Sequence, residues 1–157
     1  MSQPVHAIVL RRFDVPVERV FNAWFDPVWL GRWMFCSGEG DEHIVRFTLD
    51  ARVGGMFSFV VNRQGTEVDH VGEYLEIDRP RLLVFTWATR ESYPKTSRVI
   101  VELTPCESGC EVKLTHVMGS GWSAQVDWAA EAWSKLLDAL EEAIAQDGGT
   151  RAVETTF

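Results

Sequence analysis

Ala124-Gln-Val-Asp-Trp-Ala-Ala-Glu-Ala-Trp-Ser-Lys-Leu-Leu-Asp-Ala-Leu-Glu-Glu-Ala-Ile-Ala-Gln146 is the stretch whose reading decides the fold. Its apolar residues Ala129, Trp133, Leu136, Leu137, Leu140 and Ile144 recur at steps of three and four. That spacing is the stripe of a 3.6-residue helix, and it leaves Asp138, Glu141 and Glu142 on the opposite side. A helix of about twenty residues is roughly 30 Å long. It can therefore lie across a whole sheet and enclose an apolar chamber against it.

Upstream the period changes from 3.6 to 2. Val45, Phe47 and Leu49 alternate with Arg46, Thr48 and Asp50, and Phe57, Phe59 and Val61 share one strand face after Gly54-Gly55. Val68 to Asp78 reads as the returning strand after a hairpin containing Gly65. Leu83, Phe85 and Trp87 follow the Arg79-Pro80 connection, Val99, Val101 and Leu103 follow a turn at Ser92–Lys95, and Val112 and Leu114 follow the Pro105–Gly109 hairpin. Nearer the N-terminus, His6–Phe13 is a first strand. Pro16 opens a helix carrying Val17, Val20, Phe21 and Trp24, and Asp26-Pro27 opens a second carrying Trp29, Leu30 and Trp33. Cys36–Glu42 reads as a loop.

The order is therefore one strand, two short helices, about six further strands and a long helix. Short hairpins join antiparallel strands, so the fold class is α+β: a curved antiparallel sheet of six to seven strands wrapped around the C-terminal helix. One domain spans 1–157, its core covers about 6–146, and residues 147–157 are expected to form a flexible tail.

Composition limits the partners. Hydrophobic residues at 46% and charged residues at 24% suit a globular domain, and a net charge of −8 opposes binding to nucleic-acid phosphates or anionic lipid. No apolar run reaches the roughly 18 residues of a membrane span. No basic segment precedes a long apolar run at the start, so no signal peptide is expected and the cytoplasm is the expected compartment. Cys36, Cys106 and Cys110 fit reduced thiols. The four histidines, His6, His43, His70 and His116, have no metal-ligand spacing, so neither metal nor cofactor is expected. No G-x-S-x-G, H-E-x-x-H, P-loop or G-x-G-x-x-G is present.

Five pieces in order carry a family resemblance: Pro16-Val-Glu-Arg-Val-Phe-Asn-Ala-Trp24 with Asp26-Pro-Val-Trp-Leu-Gly-Arg-Trp33; Gly54-Gly-Met-Phe-Ser-Phe59; Gly72-Glu-Tyr-Leu-Glu-Ile-Asp-Arg-Pro80; Arg81-Leu-Leu-Val-Phe-Thr-Trp87; and Ala132-Trp133 leading into Leu136, Leu137 and Leu140. Together they resemble the SRPBCC superfamily, in its branch of homologues of the activator of heat-shock protein 90 ATPase, from about Ala7 to Ile144. The resemblance implies the helix-grip fold and a chamber that in relatives holds lipids, sterols, polyketides or other apolar molecules. Ala132 stands where the family usually has glycine, a change that favours the helix. Eukaryotic members that stimulate the chaperone carry an additional N-terminal docking domain, which these residues do not contain. The family name therefore does not imply that activity here.

If Phe57 and Phe59 face the helix, strand parity puts Leu83, Phe85, Trp87, Val99, Val101, Leu103, Val112, Leu114 and His116 on the same side. The expected cavity residues are Trp24, Trp33, Phe57, Phe59, Tyr74, Phe85, Trp87, Val101, His116, Trp133, Leu136 and Leu140. Trp24, Trp29 and Trp33 would line its mouth, Trp122 and Trp128 would cover the other end, and Met118–Gly121 would serve as a gate. The opposing reading is a core filled by its own aromatics. His116 is either a polar contact for a ligand or a core histidine satisfied by backbone. Three functions follow: a binder of an apolar or aromatic small molecule between sheet and C-terminal helix, a cyclase or hydratase using the same cavity, and a chaperone-associated or self-associating protein presenting its tryptophans. A homodimer is compatible with each.

Overall fold

Successive side chains of a strand point to opposite faces, so period-2 sequence produces strands with one apolar face and one wet face. In a computed structural model that describes residues 3–26, 29–30, 33, 43–63, 65–93 and 95–155, those strands form a single sheet. The elements are β1 (Val5–Phe13), α1 (Val17–Asn22), β2 (His43–Leu49), β3 (Met56–Arg63), β4 (Thr66–Asp78), β5 (Leu82–Thr89), β6 (Ser97–Cys106) and β7 (Gly109–Met118). A 3-10 helix at Ser120–Gln125 then leads into α2 (Val126–Thr155). The seven antiparallel strands lie in the order β1-β7-β6-β5-β4-β3-β2 and curve around α2.

Neighbours in sequence are neighbours in the sheet except β1 and β2, which form opposite edges. Of the described residues between them, α1 and the helical residues Trp29, Leu30 and Trp33 pack onto the core of the concave side. Pro27, Val28, Gly31, Arg32 and the expected Cys36–Glu42 loop lie outside the described residues.

Register assembles the inner face in rows. Tyr74 pairs with Phe85, Phe85 with Val99, Val99 with His116, and His116 with Ala7. Leu83, Val101, Leu114 and Val9 form the adjacent row. From the helix, Trp133, Leu137, Leu140 and Ile144 bury against this face, while Ala129 packs with Ala7 and Met118. Arg11 of β1 reaches across to Asp138 and to the backbone and hydroxyl of Ser134 on α2, at 3.3 and 3.1 Å for the latter two, fixing the helix to the sheet edge.

Two expectations need correction, and one element is longer than its apolar stripe. Val45 does not continue the alternation with Phe47, because a β-bulge between Ile44 and Arg46 pairs Ile44 with Val61 and Phe47 with Phe59 and leaves Val45 without a partner in the ladder. The helix runs on past its apolar stripe, through Gly148-Gly149 to Thr155. Each glycine weakens a helix by only about 1 kcal/mol, and extending an anchored helix adds a hydrogen bond per residue. Trp122 and Trp128 do not cover the chamber: they are 53% and 67% exposed, because Ser120–Gln125 forms a 3-10 turn before the apolar stripe of α2 begins.

Glycine is required where β3 and β4 receive the preceding chain. Gly54 adopts φ 84°, and its N–H donates to the carbonyl of Tyr74 at 2.8 Å. Gly72 pairs with Phe57, and a Cβ there would lie 2.1 Å from the Thr86 carbonyl and 2.4 Å from the Phe57 ring. The missing side chain is what lets the Phe57 ring lie across its neighbouring strand.

Candidate functional site

Aromatic residues at alternate positions of adjacent strands stack side by side on one face. On β3 to β5 this produces a continuous set of rings. Phe57 contacts Phe59, Tyr74, Phe85 and Trp87 at centroid distances of 5.8, 5.5, 5.8 and 6.1 Å. Trp24 covers the set from the crossing segment, 6.1 Å from Phe85 and 6.4 Å from Trp133. The set runs outward through Phe47 of β2, which stacks on Phe59 at 6.1 Å and 18° while remaining 49% exposed.

Rings of fixed shape do not fill such a space completely. A cleft remains between Trp24, Leu30, Phe57, Phe59, Tyr74, Leu83, Phe85 and Trp87. It encloses about 280 Å³ of empty volume including its open mouth, of which about 20 Å³ can hold the centre of a water molecule. That inner space is on the scale of one to a few waters, well below the roughly 300–1,000 Å³ of pockets that enclose drug-sized ligands. The chamber is therefore narrow, and an aromatic ligand would have to shift lining side chains to enter it.

Six of the expected residues line this cleft: Trp24, Phe57, Phe59, Tyr74, Phe85 and Trp87. Trp33, Val101 and Leu140 are fully buried core residues, and Leu136 is half-buried on the flank of α2. His116 and Trp133 face each other one ring beyond the cleft, with Trp133 5.9 Å from Trp87. Leu30 and Leu83 also line the cleft and were not among the expected cavity residues. Parity with Phe85 and Trp87 signals Leu83, and helical spacing from Trp33 signals Leu30.

His116 is satisfied by side chains on both ring nitrogens. The Trp133 Nε1–H donates to Nδ1 at 3.0 Å, so the ring proton sits on Nε2. Nε2–H then donates to Ser97 Oγ at 2.7 Å, and that hydroxyl donates to the Trp87 carbonyl at 3.1 Å. The chain of bonds runs one way, from α2 through β7 and β6 to β5. Burial lowers the pKa of His116 to about 4. Protonation would also place a second N–H against the Trp133 donor. This histidine is a neutral tether between helix and sheet.

The remaining polar groups are few. Burial raises the pKa of the Tyr74 hydroxyl, so Tyr74 stays protonated across the physiological range. The Trp24 Nε1–H is buried with no hydrogen-bond partner among the described residues. His70 stacks on Trp87 at 5.4 Å beside the cleft. At the far hairpin, Cys106 and Cys110 are free thiols, and burial with lesser help from Cys106 and Glu18 pushes Cys110 up to about 11. Among the described residues no group of His, Cys, Asp or Glu is placed to hold a metal, and no helix is long and apolar enough to cross a membrane.

A curved antiparallel sheet closed by a long C-terminal helix over an aromatic interior defines a helix-grip protein of the SRPBCC superfamily. The family model described as Activator of Hsp90 ATPase homolog 1-like protein matches residues 14–145, and the chain belongs to that family. No curated protein matches it. Among solved structures it is similar to a protein from Nitrosomonas europaea, with 21% identity over 91% of this chain and 96% of that one and a TM-score of 0.77. The AHSA1-like protein from Aeromonas hydrophila gives 20% identity over 92% and 94%, with a TM-score of 0.76. A Staphylococcus aureus protein of unknown function gives 14% identity over 94% and 98%, with a TM-score of 0.80. At these identities the likeness establishes the fold.

Proposed function

We propose that this protein binds an apolar, aromatic small molecule in the cleft bounded by β3, β4, β5 and the Trp24–Leu30 segment. The observation that carries the reading is the lining itself: six aromatic rings and two leucines around a space that reaches solvent, beside a buried apolar core. Occupancy would add ring-to-ring contacts along the aromatic wall, which favours flat ligands. The site lies toward the β2 edge, on the side of the chamber away from Leu136 and Leu140.

His116 does not suit a cyclase or hydratase acid–base role, since both its nitrogens are engaged and it resists protonation. Trp24 and Trp33 are buried, which disfavours the first helices as an exposed docking patch. The family's hydrophobic chambers are the general support for binding, and the location inside a cytoplasm is part of the same proposal.

Native mass spectrometry of the purified chain, with a thermal-shift screen of monocyclic and bicyclic aromatics, tests the reading. Stabilisation by such ligands that disappears in Leu83→Phe, a variant that fills the cleft, supports it. Equal stabilisation of wild type and a folded Leu83→Phe variant removes the cleft as the site.

A further inference from the structure

Three tryptophans meet at the inner end of the cleft, and the fold treats their indole N–H groups differently. Trp33 donates to the Ala23 carbonyl at 3.1 Å, and Trp133 donates to His116 at 3.0 Å. Trp24 packs against both rings, at 4.6 and 6.4 Å, yet its own Nε1–H has no partner among the described residues. Buried donors are almost always paired, because an unpaired one retains the full penalty of leaving water. Of these three side chains only Trp24 lines the cleft.

The rest of the lining restricts what could accept that bond. None of the eight lining residues is charged. Arg79 lies farther out, its guanidinium 5.4 and 4.7 Å from the Phe21 and Phe25 ring centroids. A carboxylate in the cleft would lose its hydration without gaining a counter-charge, inside a chain that is itself at −8. A neutral carbonyl oxygen meets the donor at far smaller desolvation cost.

Building on the cleft as a binding site, we propose that Trp24 Nε1–H is its specificity-determining donor, and that the ligand is a flat, uncharged aromatic molecule bearing a carbonyl-type acceptor. The ring stacks within the Phe57–Phe85–Trp87 wall while the oxygen takes the indole proton.

Three probes of nearly equal shape separate the contributions: acetophenone, ethylbenzene and benzoate, each titrated into the full chain and followed through its seven indole N–H resonances. Acetophenone should bind about tenfold more tightly than ethylbenzene, the scale of one buried hydrogen bond, and benzoate more weakly than acetophenone. The Trp24 resonance should move downfield with acetophenone and not with ethylbenzene. Trp24→Phe should bring the acetophenone and ethylbenzene affinities together. If that variant does not fold, the wild-type shift decides alone. Equal affinities with an unmoved Trp24 resonance, or benzoate as the tightest probe, overturn the donor while leaving the cleft as a binding site. Failure of all three to bind overturns the cleft reading and this inference with it.

Discussion

The two ends of the concave face use similar residues to opposite effect. Toward β6, β7 and β1, aliphatic side chains interlock with Leu137 and Leu140 of α2, and the one polar ring, His116, is bonded on both sides. Toward β3, β4 and β5 the wall is aromatic, a cleft remains, and the Trp24 donor has no partner among the described residues. Branched aliphatic side chains interdigitate to crystal-like density. The rings around Phe57 meet at tilts of 37° to 79°, and a cleft remains beside them. One half is closely interlocked, and the other leaves a cleft.

Breaking the interlocked half should have the largest effect. Leu140→Ala removes a fully buried side chain beneath the helix and should lower unfolding free energy by about 2–5 kcal/mol in a urea titration. A loss below 1 kcal/mol would mean this half is no better packed than the cleft.

The tether gives a pH signature. The pKa of His116 is about 4 in the folded protein and 6.5 in the unfolded chain, so between these values only the unfolded state binds the proton. Stability is therefore complete above pH 6.5 and falls as pH drops toward 4, by about 3 kcal/mol in all at 1.36 kcal/mol per pKa unit. Comparing wild type with His116→Gln at pH 7 and pH 5 isolates this contribution, and identical pH slopes would dismiss it.

Gly72→Ala sharpens the boundary between the halves. The new methyl presses on the Thr86 carbonyl and the Phe57 ring, and the strain should cost about 1–3 kcal/mol. Ligand binding should fall as well, because Phe57 is displaced into the cleft. Loss of stability with unchanged binding would separate Phe57 from the site.

Phe47→Ala should change stability least, by under about 1.5 kcal/mol, since it removes one exposed stacking partner. Aromatic-ligand affinity should nevertheless weaken several-fold, as measured by calorimetry. A variant that binds like wild type would show that the cleft ends at Phe59.

Much of this architecture was legible along the chain. Parity put Phe57, Phe59, Leu83, Phe85, Val99, Val101, Val112, Leu114 and His116 on one face, and each is buried. The 3.6-residue stripe likewise placed Trp133, Leu137 and Leu140 under the sheet. The cleft was partly legible. Its aromatic residues, Trp24 among them, could be read from the sequence, and parity put Leu83 on the same face, but Leu136 and Leu140 do not line it and Leu30 does. The bulge that leaves Val45 without a ladder partner while Phe47 pairs with Phe59 carries no local sequence signal.

The sequence by itself determined which residues are apolar, with what period, and where the turns fall. It thereby determined the strands, the long helix and the face each would bury, because side-chain direction follows from backbone geometry alone. Only the tertiary structure decided where packing is complete. Whether the Trp133 N–H finds His116 and whether Trp24 lines a remaining space both depend on the meeting of residues far apart in the chain. Hydrophobic burial is non-directional and favours any closure of the sheet over the helix. The shapes of the particular rings brought together determine where a gap persists.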